Sequence, residues 1–360
     1  MPYTNKFFIT MFYVFMATMS VSSFAFAWGA LGHQTVGEIA QRNLTEKGKQ
    51  LVHEILGFES LAVAAIYPDL VRPDSEYKEF SNFHFIEMDP RFGGDYSKIP
   101  ESLRPDHDAH TMISGIPEKL FEKILNTPKF SWRQKIDLMR YLVHLVGDVH
   151  QPLHVGNGYD HGGNWCHIDY SVVENGSTSI ITSNLHSFWD TTLVERIVSS
   201  QTQQKSKKKD RTFTAKDFKG LADLILKDQR LLNTTEIKRT PILEWYKESQ
   251  ALHKKVYIDS SPVNPADRTY CMRVLKNING EVQKDSRGVD LVVEATSSAK
   301  ITTEYVQAST EIVKSQIMKA GMRLAHLINS MAERESAEDS SDFHVQKINE
   351  LNGILEAFKN

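Results

Sequence analysis

The sequence predicts an all-α fold: a single mainly helical domain carrying one small β-hairpin. Three observations predict it. Apolar residues recur at helical spacing, as at Ile136, Met139, Leu142, Val143 and Val146. Two short strand-like runs, Cys166 to Val173 and Ser177 to Thr182, are joined across Asn175-Gly176, a turn dipeptide. No internal repeat divides the chain.

In chain order, residues 1–27 read as a secretory signal peptide. Lys6 gives a slightly basic start, Phe7 to Val21 is mostly apolar, and Ala25-Phe26-Ala27 supplies a small-residue cleavage site. An uncleaved anchor would need about 20 apolar residues, and this run is shorter and interrupted. Cleavage after Ala27 makes Trp28 the first residue of a mature chain of about 333 residues. No second long apolar segment follows, so the product is expected as a secreted or periplasmic monomer without stable membrane association. Removing Lys6 leaves 41 basic against 45 acidic side chains. That balance argues against holding nucleic acid by bulk electrostatics, but not against an enzyme that engages one or two nucleotides at a metal. Cys166 and Cys271 are the only cysteines. An oxidising compartment permits a disulfide between them.

The mature chain opens with a helix over Gly29 to Leu44, apolar at Leu31, Val36, Ile39 and Ala40, and Thr45 caps a second. Leu61 to Ile66 is apolar, and Tyr67-Pro68-Asp69 breaks it, leaving Asp69 at a segment end with Arg72 beyond. Phe83-His84-Phe85-Ile86-Glu87 is a short hydrophobic run whose histidine reads as core or as ligand. Residues 89–108 form a loop, and helices follow over Ala109 to Asn126 and Trp132 to Val149, the latter opened by a Ser131/Gln134 capping box. After the hairpin, Asn184 caps a helix to about Val198. The basic stretch from Ser199 to Arg211 is a solvated loop. Helices cover 215–232 and 241–257, and 259–300 carries no assignment. A long amphipathic helix runs from Thr302 to about Arg334, with Val313, Ile317 and Leu324 on its buried side. The domain spans 28–334, and 335–360 is an acidic, then helical, tail.

The chemistry concentrates in His144 to His154, His-Leu-Val-Gly-Asp-Val-His-Gln-Pro-Leu-His. His144 and Asp148 are four apart and share a helix face. Pro152 ends the helix and lets His154 turn back toward it. His186 and Asp190 repeat the spacing. The bland alternative, satisfied polar residues at a helix end, fits one histidine better than a cluster, because burying several such groups without a metal is costly. Asp69, His84, His144 and Asp148 make one set of zinc-type ligands, and His154, His186 and Asp190 another. Two ions bridged by a carboxylate suit in-line phosphoryl displacement: one acidifies a water, another stabilises the departing oxygen. No Walker loop, dinucleotide fingerprint or serine elbow is present.

The ordered set of Trp28 with His33, Asp69, His84, His144-x-x-x-Asp148, His154, Gly162-Gly163-Asn164 and His186-x-x-x-Asp190 resembles the trinuclear-zinc single-strand nucleases and 3′-nucleotidases of the S-one/P-one type. The likeness extends to Ala320-Gly321-Met322-Arg323-Leu324-Ala325. It implies a fold of the kind shared with zinc-dependent phospholipase C, and three Zn2+ ions. One would be held by Asp69, His84 and His144. A second would be held by His154, His186 and Asp190, and a third by the α-amine and carbonyl of Trp28 with His33. Asp148 would bridge the first and third, and His150 would support the site without ligating. The resemblance assigns catalytic positions to Asp69, Asp148 and Arg72, and substrate contacts to Phe85, Glu87 and Arg72. Thr191 departs from the amide side chain expected there as a base contact.

The implied function is hydrolysis of the P–O3′ bond of single-stranded RNA or DNA and of 3′-nucleotides, leaving 5′-phosphates. A zinc-dependent phospholipase C is the enzymatic alternative. A secreted zinc-binding or interaction protein with a vestigial site is the non-enzymatic one.

Overall fold

Side-chain caps fix where several helices begin in the computed structural model, which describes residues 28–86, 92, 98–100, 131–174, 176–202, 213–228, 237–238, 240–258 and 270–333. Helix α1 (Ala30–Arg42) is followed by α2 (Glu46–Leu56), where Thr45 accepts a hydrogen bond from the Gly48 N–H. The short α3 (Leu61–Ala64) and α4 (Tyr67–Val71) come next, then a 3₁₀ segment, Ser75–His84. Pro68 does not end a segment. It lies in the first turn of α4, where a missing N–H costs nothing, and Asp69 sits inside that helix.

The Ser131/Gln134 capping box opens α5 (Trp132–Asp148) as the sequence predicts. A 3₁₀ turn, Pro152–His154, reverses the chain. Strands β1 (His167–Glu174) and β2 (Ser177–Asn184) form the expected antiparallel hairpin. Asn184 then accepts from the Ser187 N–H and opens α6 (Leu185–Ser187). One turn of π-helix, Phe188–Thr192, separates α6 from α7 (Leu193–Thr202), so the predicted continuous helix is widened in its middle. Helix α8 (Ala215–Lys227) follows, and the predicted 241–257 helix is two, α9 (Ile242–Ala251) and α10 (His253–Val256).

The unassigned stretch contains structure. β3 (Met272–Val274) pairs antiparallel with β4 (Val292–Glu294), and β5 (Ala299–Lys300) adds parallel to β1. Asn277 and Asp285 side chains close its turns by accepting main-chain N–H groups. A disulfide joins Cys166 to Cys271 and ties this second sheet to the base of the hairpin.

Helix α11 (Thr303–Glu333) crosses α1 closely: a Cβ on Gly321 would come within 2.5 Å of Ile39 Cγ2. Its apolar side, including Val313, Ile317, Leu324 and Ile328, shares one core with Val36, Ile39, Leu142 and Val146. Residues 1–27, Glu87, the 109–126 helix, most of the 199–211 loop, 259–269 and the tail from 334 lie outside the described residues. Among the described residues no single helix is long and apolar enough to cross a membrane.

Candidate metal centre

Helices α1, α4 and α6, two 3₁₀ segments and the π-turn deliver polar side chains to the buried C-terminal half of α5. The i,i+4 spacing brings His144 Nε2 within 3.1 Å of Asp148 Oδ2. His186 Nε2 and Asp190 Oδ2 stand 3.0 Å apart across the π-turn. Helix α1 supplies His33, whose Nε2 lies 3.2 Å from Asp148 Oδ1 and whose ring stacks on His144 at 3.9 Å. Helix α4 supplies Asp69, and the 3₁₀ segment ends in His84. His84 Nδ1 is 3.2 Å from Asp148 Oδ2 and 3.6 Å from Asp69 Oδ1. His154 Nε2 approaches Asp190 Oδ1 at 3.9 Å.

Main-chain carbonyls aim three of these rings. His144 Nδ1 bonds the Ala65 carbonyl at 2.6 Å, His186 Nδ1 bonds Gly162 at 2.7 Å and His154 Nδ1 bonds His84 at 2.5 Å. Each Nδ1–H is thereby fixed and each Nε2 is turned inward. The last bond makes His84 serve twice, as a side chain in one group and a carbonyl for the other. Trp28 is fully buried and donates its indole N–H to the Gly147 carbonyl at 2.9 Å. Gly147 is needed there, since a Cβ would come within 2.8 Å of His33 Nδ1.

These residues fit metal ions. His33, Asp69, Asp148, His154 and Asp190 all carry buried polar atoms without a hydrogen-bond partner, and Ser309 is the one other residue among those described that does. Orphaned buried carboxylate oxygens are costly unless a cation meets them. The donors of Asp69, His84, His144 and Asp148 lie 2.9–3.7 Å apart in the pairs given by His84–His144 and the carboxylate contacts. A tetrahedral zinc with ~2.0–2.1 Å bonds has edges of about 3.4 Å. Potential three-residue groups are His33/Asp69/His144, His84/His144/Asp148 and His154/His186/Asp190. A fourth, Asp160 with Cys166 and Cys271, is excluded because both sulfurs are in the disulfide.

The electrostatics follow from crowding. Burial pushes Asp69 up to about 7, aided by the Asp148 and Asp190 charges. Burial alone would raise Asp148, but His144, His33 and His84 hold it well below the carboxylate range. Burial lowers His33 to about 4 and His84 to about 3. It would also lower His144, yet Asp148 and Asp69 outweigh it and bring that imidazole up to about 9.

Beside the nest lies a cleft of about 300 Å³, with His84, His154 and His186 in its lining and Arg72, Phe85 and Tyr159 around them. Phe85 is therefore at the cleft and only half-buried, not a core residue. Thr191 does not line it. A Cβ on Gly29 would meet Thr191 Oγ1 at 2.9 Å, so that side chain faces the start of α1. Glu87 is outside the described residues. His150 faces the other way, accepting from Arg323 Nη1 at 2.8 Å, while Arg323 pairs with Glu248 at 2.9 Å. Burial and that guanidinium hold His150 well below its ordinary value, so it is neutral.

Sequence reasoning missed two supporting residues. Gln151 is fully buried, donates its amide to Asp190 Oδ1 and accepts the Leu153 N–H, fixing the carboxylate. Its position between His150 and Pro152 was the available signal. Gly147 carried none, because a helical glycine announces no clash partner.

A family model described as S1/P1 nuclease matches residues 28–333. The chain is similar to Nuclease S1 of Aspergillus oryzae, 27% identical over 332 residues that cover 89% of this chain and 97% of that protein. It is 28% identical to Nuclease P1 of Penicillium citrinum over 177 residues, 48% of this chain and 60% of that one. It is 27% identical to Endonuclease 4 of Arabidopsis thaliana over 182 residues, 48% and 56% respectively.

Proposed function

The chain belongs to the S1/P1 nuclease family, and on that premise we propose that it is a secreted zinc-dependent hydrolase. Its substrates would be single-stranded RNA and DNA and 3′-nucleotides, cut at the P–O3′ bond to leave 5′-phosphates. The observation that carries this reading is the nest of orphaned buried donors beside a cleft. In it, Asp69, His84 and His144 would hold one zinc, and His154, His186 and Asp190 a second. His33 with the amine and carbonyl of Trp28 would hold a third, with Asp148 shared between the first and third. When bound, the cations supply positive charge that acidifies water and stabilises the oxygens of a phosphodiester under attack.

The protein's own groups do the rest. Asp148 presents one oxygen toward His33 and the other toward His84 and His144, which sets the spacing between two sites. Gln151 holds Asp190 in one rotamer. Phe85 offers a face on which a base stacks, and Arg72 offers a planar guanidinium for a phosphate. The buried floor excludes water from all but the cleft side, which strengthens each of these charges. Secretion is supported by the disulfide, which persists outside reducing compartments, and we read the protein as a monomer in a single domain over 28–334.

The test is metal analysis of the exported protein with assays on single-stranded DNA, 3′-AMP and phosphatidylcholine. Three zincs and turnover of the first two substrates are expected. Turnover of phosphatidylcholine alone, or no turnover at full zinc content, would refute the proposal.

A further inference from the structure

The loop from Asn157 to Asn164 walls the cleft and is built more firmly than a connector requires. Fully buried Asp160 accepts from the Gly163 N–H at 2.9 Å, the Tyr257 hydroxyl at 3.1 Å and the Asn157 amide at 2.7 Å. Gly158, Gly162 and Gly163 take left-handed backbone, and so does His161 at φ 52°, alone of the non-glycine residues among those described. Glycine would sit there at least cost, so an imidazole is kept against the local backbone preference. The ring leans on Trp165, centroids 4.6 Å apart, and lines the cleft.

His154 and His186, the neighbouring imidazoles, each commit Nδ1 to a carbonyl. Neither ring nitrogen of His161 is hydrogen-bonded within the described residues; only its carbonyl is engaged, by Asn164 Nδ2 at 2.8 Å. That bond also occupies the Asn164 amide. A cleft-lining imidazole with free nitrogens, backed by an indole, is set up to donate to something that enters.

Resting on the nucleotide reading of the cleft, we propose that His161 is a specificity-determining residue. Its imidazole donates a hydrogen bond to a strand phosphate adjacent to the scissile one, and so favours polynucleotides over 3′-mononucleotides. A 3′-mononucleotide brings a single phosphate, which the reacting centre and Arg72 engage. A strand brings further phosphates one nucleotide away, and an imidazole N–H suits their oxygens.

The test compares kcat/KM on a single-stranded pentadeoxynucleotide with kcat/KM on 3′-AMP. His161→Gly relieves the left-handed backbone, and His161→Asp, which tolerates the same backbone and donates no hydrogen bond when ionised, repeats the measurement should the glycine loosen the loop. In both the pentanucleotide-to-3′-AMP ratio is expected to fall about tenfold or more, the loss of one hydrogen bond to a charged group. His161→Lys restores a donor and should recover part of the ratio, whereas His161→Phe should not. An unchanged ratio in His161→Gly overturns the proposal. Recovery by Phe and not Lys overturns it in favour of base stacking. Loss of all turnover by the unaltered protein on both substrates would instead overturn the nuclease reading on which this one rests.

Discussion

Gly147→Ala tests whether His33 is a ligand without touching any ligand. The added Cβ would lie 2.8 Å from His33 Nδ1 and 3.0 Å from Cε1. Ordinary contact begins near ~3.5 Å, so the ring must move by roughly 0.7 Å. It is already stacked on His144 at 3.9 Å, which leaves little room to yield. Metal–ligand distances tolerate only about 0.2 Å. The fold should survive, because alanine in a helix gains about 1 kcal/mol over glycine while overpacking costs about 1–3 kcal/mol. A net loss of at most about 2 kcal/mol is expected by urea titration. Metal analysis should show one zinc fewer, and single-stranded DNA hydrolysis should fall about 100-fold, as for a misplaced active-site group. Removing the imidazole opens the space, so His33→Ala with Gly147→Ala should be no less stable than His33→Ala alone. A full metal complement and normal rate in Gly147→Ala would show that His33 is a buried spectator.

Three other predictions follow from the same geometry. Phe85→Ala should raise KM for nucleotides about 10- to 100-fold, from a stacking loss of about 1–3 kcal/mol, with zinc content and melting temperature held; an early melt with lost zinc would make Phe85 structural. A chain with any residue left ahead of Trp28 keeps every side-chain ligand but lacks a free α-amine, so it should bind two zincs rather than three; equal zinc in both forms would remove Trp28 from the ligand set. In chelator-treated protein, Asp69 near 7 and His144 near 9 both stand above their unfolded values of about 3.9 and 6.5. From about pH 7.5, where unfolded histidines have shed most of their protons, up to about 9, the folded state then holds more protons than the unfolded state, so its stability declines as pH rises. Zinc binding releases those protons and strengthens with pH. The melting-temperature gap between zinc-loaded and chelated protein should widen across that window, and a constant or narrowing gap would contradict the ligand assignment.

The helical skeleton was legible because its signals are local. Thr45, Ser131 and Asn184 cap as read, and the hairpin pairs Glu174 with Ser177 at its closed end. The nest was legible because two i,i+4 pairs and a proline-ended helix concentrate imidazoles that a core does not otherwise need. What stayed hidden is decided between segments. Strands β3 and β4 are three residues long and held by Asx-closed turns, too short for a period to show. Pro68 reads equally as a breaker or as a first-turn residue, and only the packing of α4 under Asp69 chooses. The π-turn at Phe188–Thr192 has no signature in the sequence, although it determines which way Thr191 faces. Gln151 and His161 acquire their roles from partners 39 and 4 residues away, respectively.

The carbonyls that aim His144, His154 and His186 belong to Ala65, His84 and Gly162. A carbonyl comes with every residue type, so the orientation of these rings is inherited from the path of the main chain. At position 65 the side chain can drift through any small apolar residue and still deliver the same acceptor to the same ring. The imidazoles and carboxylates of the nest cannot drift if they hold metal, and Gly162 is tied down by its backbone angle, but most of the surrounding positions are released. Evolution can therefore rewrite much of the sequence around such a centre, loops and surfaces included, while the geometry that matters is copied along with the backbone.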